Sequence, residues 1–293
     1  MKRLFLAASI SLILSPLLFA QAPSQQELEQ VYAQWRQSMV NKDARKWSQM
    51  TSSRRKLDLQ NRLLSERKPF PATLFQLPVA PPDLRGLTPA RFQARGQTAT
   101  AVYFGKVDFG VGGAPTENLL VLSFVQEKGW KYDGAEFINL LALPDIRAAL
   151  AKKDFSVLDK PEFTPSGKSP QLPAIRLSAP VKYIAKVFCY CPGREVTVQV
   201  NRRSRHVLAN TQAAEVVIGG AVDGENVVEY KVKNLPGSTG KEPIAIRVFL
   251  MSEAPGVKVP AVYSYVVEEG GAVNTTGQGS FTVDAAVAAK LRR

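Results

Sequence analysis

Two cysteines stand one residue apart in Phe188-Cys189-Tyr190-Cys191-Pro192-Gly193, and the chain has no others. A metal clip, a redox couple, a disulfide and a pair of small buried residues are the four roles such a pair can take. Alternation along an expected strand from Val181 to Tyr190 puts Val181, Tyr183, Ala185, Val187, Cys189 and Cys191 on one apolar face, which favours burial. A bridge between residues two apart in a straight strand stretches the Cα separation to its upper limit, about 6.8 Å, unless Pro192-Gly193 kinks the chain. A strained Cys189–Cys191 disulfide and two free buried thiols therefore both stand as readings. A metal needs more donors than this pair and His206, the single histidine, supply. The C-x-C spacing outside a βαβ pattern excludes thioredoxin-type exchange.

Acid–base chemistry has few carriers. Asp108, Asp133 and Glu136 are the carboxylates on the strands expected between residues 98 and 138. Alternation sends Asp108 and Asp133 away from the more apolar face, toward solvent. Glu136 falls on the face of Trp130 and Tyr132, near the mouth of any pocket there. Tyr103, Trp130 and Tyr132 are the aromatic candidates for lining such a pocket, although an aromatic stripe on a sheet equally packs as plain core. No G-x-S-x-G motif supplies a nucleophile. No catalytic residue is assigned, and neither a metal nor another cofactor is expected.

Charge is the third signal. The chain carries a formal net charge of +13, of which Lys2 and Arg3 supply two. Between residues 42 and 68, Lys42, Arg45, Lys46, Arg54, Arg55, Lys56, Arg62, Arg67 and Lys68 face only Asp43, Asp58 and Glu66. A second cluster, Arg202-Arg203-Ser204-Arg205-His206, reads as a loop between strands. Both clusters read first as solvated surface. The sharper alternative is a docking surface for an anionic envelope polymer, whose binding salt would weaken. Nucleic acid is not an expected partner, since no recognition motif is present.

These residues must be positioned by two units. Residues 1–22 have the charged start, the apolar run from Leu4 to Ala20 and the small-x-small ending of a cleaved export signal. A soluble periplasmic or extracellular protein is expected from it. Beyond it, Leu28, Val31, Tyr32, Trp35 and Met39 recur at helical steps, with Ser24 and Glu27 at capping-box spacing. A short helix brings Trp47 inward, and Ser53 is placed to cap a third. Pro78, Pro81, Pro82 and Pro89 then demand extended or looped chain. Strands follow over 98–109, 118–126 and 130–138, and Pro144 opens a short helix. Residues 153–173 hold Pro161, Pro165, Pro170 and Pro173 and read as a semi-rigid linker. Residues 174–293 offer seven short strands between Gly and Pro turns, the pattern of an all-β sandwich.

The helical stretch VYAQWRQSMVNKDARKWSQMTSSRR, followed by the hairpin LLVLSFVQEKGWKYDG, resembles the SnoaL-like, nuclear transport factor two-like or cystatin-like cone family over residues 23–152. The resemblance implies an α+β cone of helices packed on a curved antiparallel sheet, a conical pocket, and a homodimer paired through the sheet. Its members include isomerases and dehydratases as well as binding modules. Residues 174–293 resemble the immunoglobulin-like class in architecture alone. The expectation drawn from all this is an exported, non-catalytic binding or interaction protein of the cell envelope. Its partner would be a small apolar ligand or an unknown protein. A small-molecule isomerase, dehydratase or hydrolase using Glu136 or Asp133 is the alternative.

Overall fold

The computed structural model describes residues 22–110, 112–252, 257 and 260–291. The expected export signal therefore lies outside the described residues but for Ala22. Among the described residues the chain is mixed α+β and mostly β, with five α-helices and three four-stranded antiparallel sheets. No described helix is long and apolar enough to cross a membrane.

Three helices open the N-terminal unit: α1 (Gln25–Val40), α2 (Ala44–Met50) and α3 (Ser53–Ser65). Each starts on a side chain that accepts one of the free amides of the first turn. Ser24 accepts from Glu27 N, Asp43 from Lys46 N, and Ser52 from Arg55 N. The third cap is Ser52 rather than the expected Ser53. The reason is that Thr51 and Ser52 still run extended against Tyr132, whose carbonyl accepts from Ser52 N at 2.9 Å. Ser53 N and Oγ donate instead to the Glu127 carboxylate.

The first sheet runs in the order β1 (Thr88–Arg95), β2 (Thr98–Val107), β3 (Thr116–Glu127) and β4 (Gly129–Asn139). β1 is absent from the expected strands; Pro89 lies within it, where the register shifts between Pro89 and Arg91. The inner face carries Ala99, Ala101, Tyr103, Leu120, Leu122 and Tyr132 against Leu28, Val31 and Tyr32 of α1. The outer face carries Val102, Leu119 and Val121 against Leu140, Leu150, Leu158 and Phe163. Both faces of β3 are thus covered, as its near-continuous apolar run requires, at about 1.5–3 kcal/mol for each large side chain buried. Leu158 and Phe163 belong to the segment expected to be a linker. Its first half is core, packed beside α4 (Pro144–Ala151).

The C-terminal unit holds two sheets. One runs in the order β11 (Ala261–Val267), β10 (Ile244–Leu250), β5 (Ala185–Tyr190) and β8 (Gln212–Val216). The other runs β12 (Thr276–Val283), β9 (Gly224–Asn234), β6 (Arg194–Val200) and β7 (Ser204–Ala209). They share one apolar core in which Val187, Val196, Val198, Val228, Ile244, Ile246 and Val248 are fully buried. Tyr230 of β9 stacks on Tyr265 of β11 with centroids 4.6 Å apart. Gly277 makes room for Tyr230, since a Cβ there would lie 2.4 Å from the phenol oxygen. A last helix, α5 (Ala285–Leu291), closes the described chain and buries Leu291.

β7 corrects the expected loop at residues 202–206. Asn201 and Arg202 have φ of 52° and 54°, and these two left-handed residues make the tight reversal between β6 and β7. Ser204 and His206 then point inward and are buried, while Arg202, Arg203 and Arg205 stay exposed. α3 joins the two units through its polar side. Asn61 Nδ2 donates to Ile175 O at 2.7 Å, and its Oδ1 accepts from Leu177 N at 3.0 Å. Val181 N donates to Leu64 O, and Gly219 N to Ser65 Oγ.

Candidate functional site

A strongly apolar hollow lies beside α1 at the end of the first sheet, with a volume of about 240 Å3. Tyr32 and Trp35 of α1 form one wall. Tyr132, Ala135 and Phe137 of β4 form a second, and Val107, Asp108 and Phe109 at the end of β2 a third. A strap over residues 77–82 closes the remaining side. α1 fastens one end of the strap: Tyr32 Oη donates to Pro82 O at 2.9 Å, and Arg36 Nε donates to Pro81 O at 2.7 Å. At its far end Gly110 (φ 65°) admits the strap, because a Cβ there would lie 2.7 Å from Val79 Cγ1.

The rings come in two groups. Tyr32, Trp35 and Tyr132 are in mutual contact, with Trp35 and Tyr132 centroids 4.0 Å apart. Phe109 and Phe137 meet edge to face at 5.1 Å. Phe109, Phe137 and Leu77 are exposed, so the lip of the hollow is apolar as well. Burial pushes the phenols of Tyr32 and Tyr132 well above the usual tyrosine range, which keeps both neutral.

A β-bulge decides which β4 side chains reach this hollow. Ser123 pairs with Gly134 and Phe124 with Tyr132, leaving Asp133 as the extra residue. Trp130 and Tyr132 therefore share a face with Ala135 and Phe137, not with Glu136. Glu136 pairs with Val121 on the opposite face and is exposed, so its expected place at the pocket mouth is corrected. Asp133, expected in solvent, is buried instead. The bulge turns it onto α3, where Ser52 Oγ donates to Oδ1 and Arg54 makes an ion pair with Oδ2 at 2.7 Å. Of the aromatic candidates, Tyr132 lines the hollow. Tyr103 and Trp130 are core residues, and Tyr103 Oη donates to Glu29 Oε1 at 2.8 Å. Tyr32, Trp35, Phe109 and Phe137 also line the hollow and were not among the candidates; Gly134 inside a strand was the available sign of the bulge that brings Phe137 there.

The basic clusters separate into different surroundings. Arg54 is committed to Asp133 and Asp58. Lys56 lines a second hollow, of mixed character, with Trp47 and Phe70, while Arg45 is exposed and Lys46 half-buried. Arg55 and Arg205 both line a cleft of about 280 Å3 at the junction of the two units, together with Arg62, His206 and Glu215.

That cleft contains a chain of bonds that the sequence did not announce. Ser204 Oγ lies 2.8 Å from His206 Nε2, and His206 Nδ1 lies 2.7 Å from Glu215 Oε2. Order and spacing are those of a nucleophile, a base and its orienting acid. The serine is nevertheless buried, and its Oγ also accepts from Ile218 N at 2.7 Å. Its hydroxyl is spent on tying β7 to the residues after β8, a structural role. The hydrogen bond from His206 holds the Glu215 carboxyl below the usual carboxylate range. A depressed folded pKa contributes stability above the unfolded value, about 4.3, and loses it as pH falls toward the folded one. The stability difference between the wild-type protein and Glu215→Gln is thus expected to shrink on acidification below about pH 4. A difference that stays constant in denaturation curves taken from pH 7 to pH 3 would refute the assignment.

Cys189 and Cys191 are both free thiols and fully buried in the core of the C-terminal unit. The interaction between the neighbouring thiols holds Cys191 below and Cys189 above the usual thiol range. The surrounding strands keep solvent and reagents from both. In the folded protein iodoacetamide is expected to add nothing, whereas in denaturant without reductant it adds two carbamidomethyl groups. Absence of both adducts in denaturant would mean that the pair forms a disulfide. No group of three or more metal-ligating side chains occurs among the described residues.

No protein-family model matches the chain, and no curated protein or solved structure matches it.

Proposed function

We propose that this is an exported, non-catalytic binding protein of the cell envelope, whose N-terminal unit takes a compact apolar group into the hollow between α1, β4 and the strap. On this reading the N-terminal unit is a SnoaL-like cone that also pairs with a second copy. The C-terminal unit is an immunoglobulin-like sandwich that docks onto a protein partner. The observation that carries the reading is the hollow itself, with five aromatic residues and an apolar lip in a chain otherwise rich in charge. Its size suits one branched or ring-sized group rather than a large ligand, since drug-sized sites run from about 300 Å3 upward. The catalytic alternative finds no support there: neither Asp133 nor Glu136 lines the hollow.

Filling the hollow tests the reading. The neutral probe 3,3-dimethyl-1-butanol is expected to bind saturably to the wild-type protein and to lose at least about tenfold in affinity in Ala135→Phe. Equal affinity in the two proteins, measured by calorimetry with matched unfolding midpoints, would remove the hollow as the site.

A further inference from the structure

The charge of the hollow runs against that of the protein. In a chain of net charge +13, the described lining residues include no lysine or arginine, and their single ionisable carboxylate is Asp108. Asp108 is exposed at the mouth, and its Oδ1 accepts from Gly110 N at 2.8 Å. Arg36 of α1 does not line the hollow and is engaged with the strap and its flank. Its Nε is spent on Pro81 O, and its guanidinium lies 4.0 Å from Asp83. The same hollow is lined by the rings of Tyr32, Trp35, Phe109, Tyr132 and Phe137.

An aromatic ring presents negative quadrupole charge on its face, so several rings around one hollow attract a cation that sheds its water cheaply. A neutral hydrocarbon would gain nothing from Asp108. A phosphate or carboxylate would be repelled by it and would find no donor among the charged side chains of the lining. A hydrated ammonium such as that of lysine pays more to enter apolar walls than a fully methylated one does. We propose that the hollow selects a quaternary ammonium group, held by the rings of α1, β4 and Phe109 with Asp108 as its counter-ion at the mouth. The proposal rests on the reading of the hollow as a binding site and names the class of ligand it takes. A cavity of about 240 Å3 accommodates a trimethylammonium head with part of its chain.

Choline and its uncharged carbon isostere, 3,3-dimethyl-1-butanol, have the same shape and differ in charge, which makes them the probes. With the full chain beyond residue 22, choline is expected to bind about tenfold more tightly than the isostere. Asp108→Asn is expected to reduce that preference severalfold, by weakening choline more than the isostere. Equal or tighter binding of the isostere to the wild-type protein would overturn the proposal and leave the apolar site standing. Saturable binding of neither probe would overturn both. The same head group occurs free and on lipids, and a competition separates the sources. Phosphatidylcholine vesicles that displace choline identify the lipid head group, and vesicles that do not displace it identify the free amine.

Discussion

Asp133→Ala is expected to destabilise the N-terminal unit by about 3 kcal/mol, the lower end of what breaking a buried ion pair costs. The carboxylate is buried and holds two groups of α3 at once, Ser52 Oγ and the Arg54 guanidinium. Removing it strands both, although Arg54 keeps Asp58 at 2.6 Å, which holds the effect below the upper end of that range. Asp133→Asn keeps a hydrogen-bond partner for Ser52 and is expected to cost about half as much. All three tryptophans, Trp35, Trp47 and Trp130, lie in this unit, so tryptophan fluorescence during urea unfolding follows it alone. An unchanged midpoint in Asp133→Ala would show that the bulge is held by its strand pairing and not by α3.

Arg194→Ala should have the larger effect, about 3–5 kcal/mol, on the C-terminal unit. Arg194 is 1 % exposed and heads the fully buried side chains by size among the described residues. Its guanidinium donates to Glu242 O and, at 2.8 Å, to Gly240 O, and it lies 3.7 Å from the Glu242 carboxylate. Truncation both opens a cavity and leaves the half-buried Gly240 and Glu242 carbonyls without their donor. Arg194→Met refills most of the space without restoring the donors, so it separates the two losses and is expected to fall between Ala and wild type. This unit has no tryptophan, but its buried thiols report on it: Cys189 and Cys191 become alkylated as it opens. The alkylation midpoint of Arg194→Ala should fall while the tryptophan midpoint stays near that of the wild type. A wild-type alkylation midpoint would contradict the account of this core.

The elements legible in the sequence were those whose apolar period is undisturbed. α1 buries Leu28, Val31, Tyr32 and Met39 as its three- and four-residue steps demand. β5 and the residues flanking it bury Val181, Tyr183, Ala185, Val187, Cys189 and Cys191 by strict alternation. β7 escaped for the opposite reason. Its inward residues Ser204 and His206 are polar and its outward Val207 is apolar, so the period points the wrong way. Only the bonds to Glu215 and Ile218, distant in the chain, make that burial tolerable. The hollow was half legible. Tyr132 followed from alternation, but the bulge at Asp133 moved every later β4 side chain to the other face and exchanged Glu136 for Phe137. Arg54 and Asp133 were read as surface charges because their pairing crosses from α3 to β4, a contact no local pattern encodes.

The central claim is that a compact group enters the hollow beside Trp35, and the indole N–H signals of the three tryptophans test it in one nitrogen-resolved NMR titration with choline or its neutral isostere. Trp35 stands on the wall of the hollow, whereas Trp47 lines a separate one and Trp130 lies in the core. The account predicts a saturable shift of the Trp35 signal with the Trp47 signal unmoved, and loss of that shift in Ala135→Phe. A Trp35 signal that stays in place, or three signals that drift together without saturating, would contradict it.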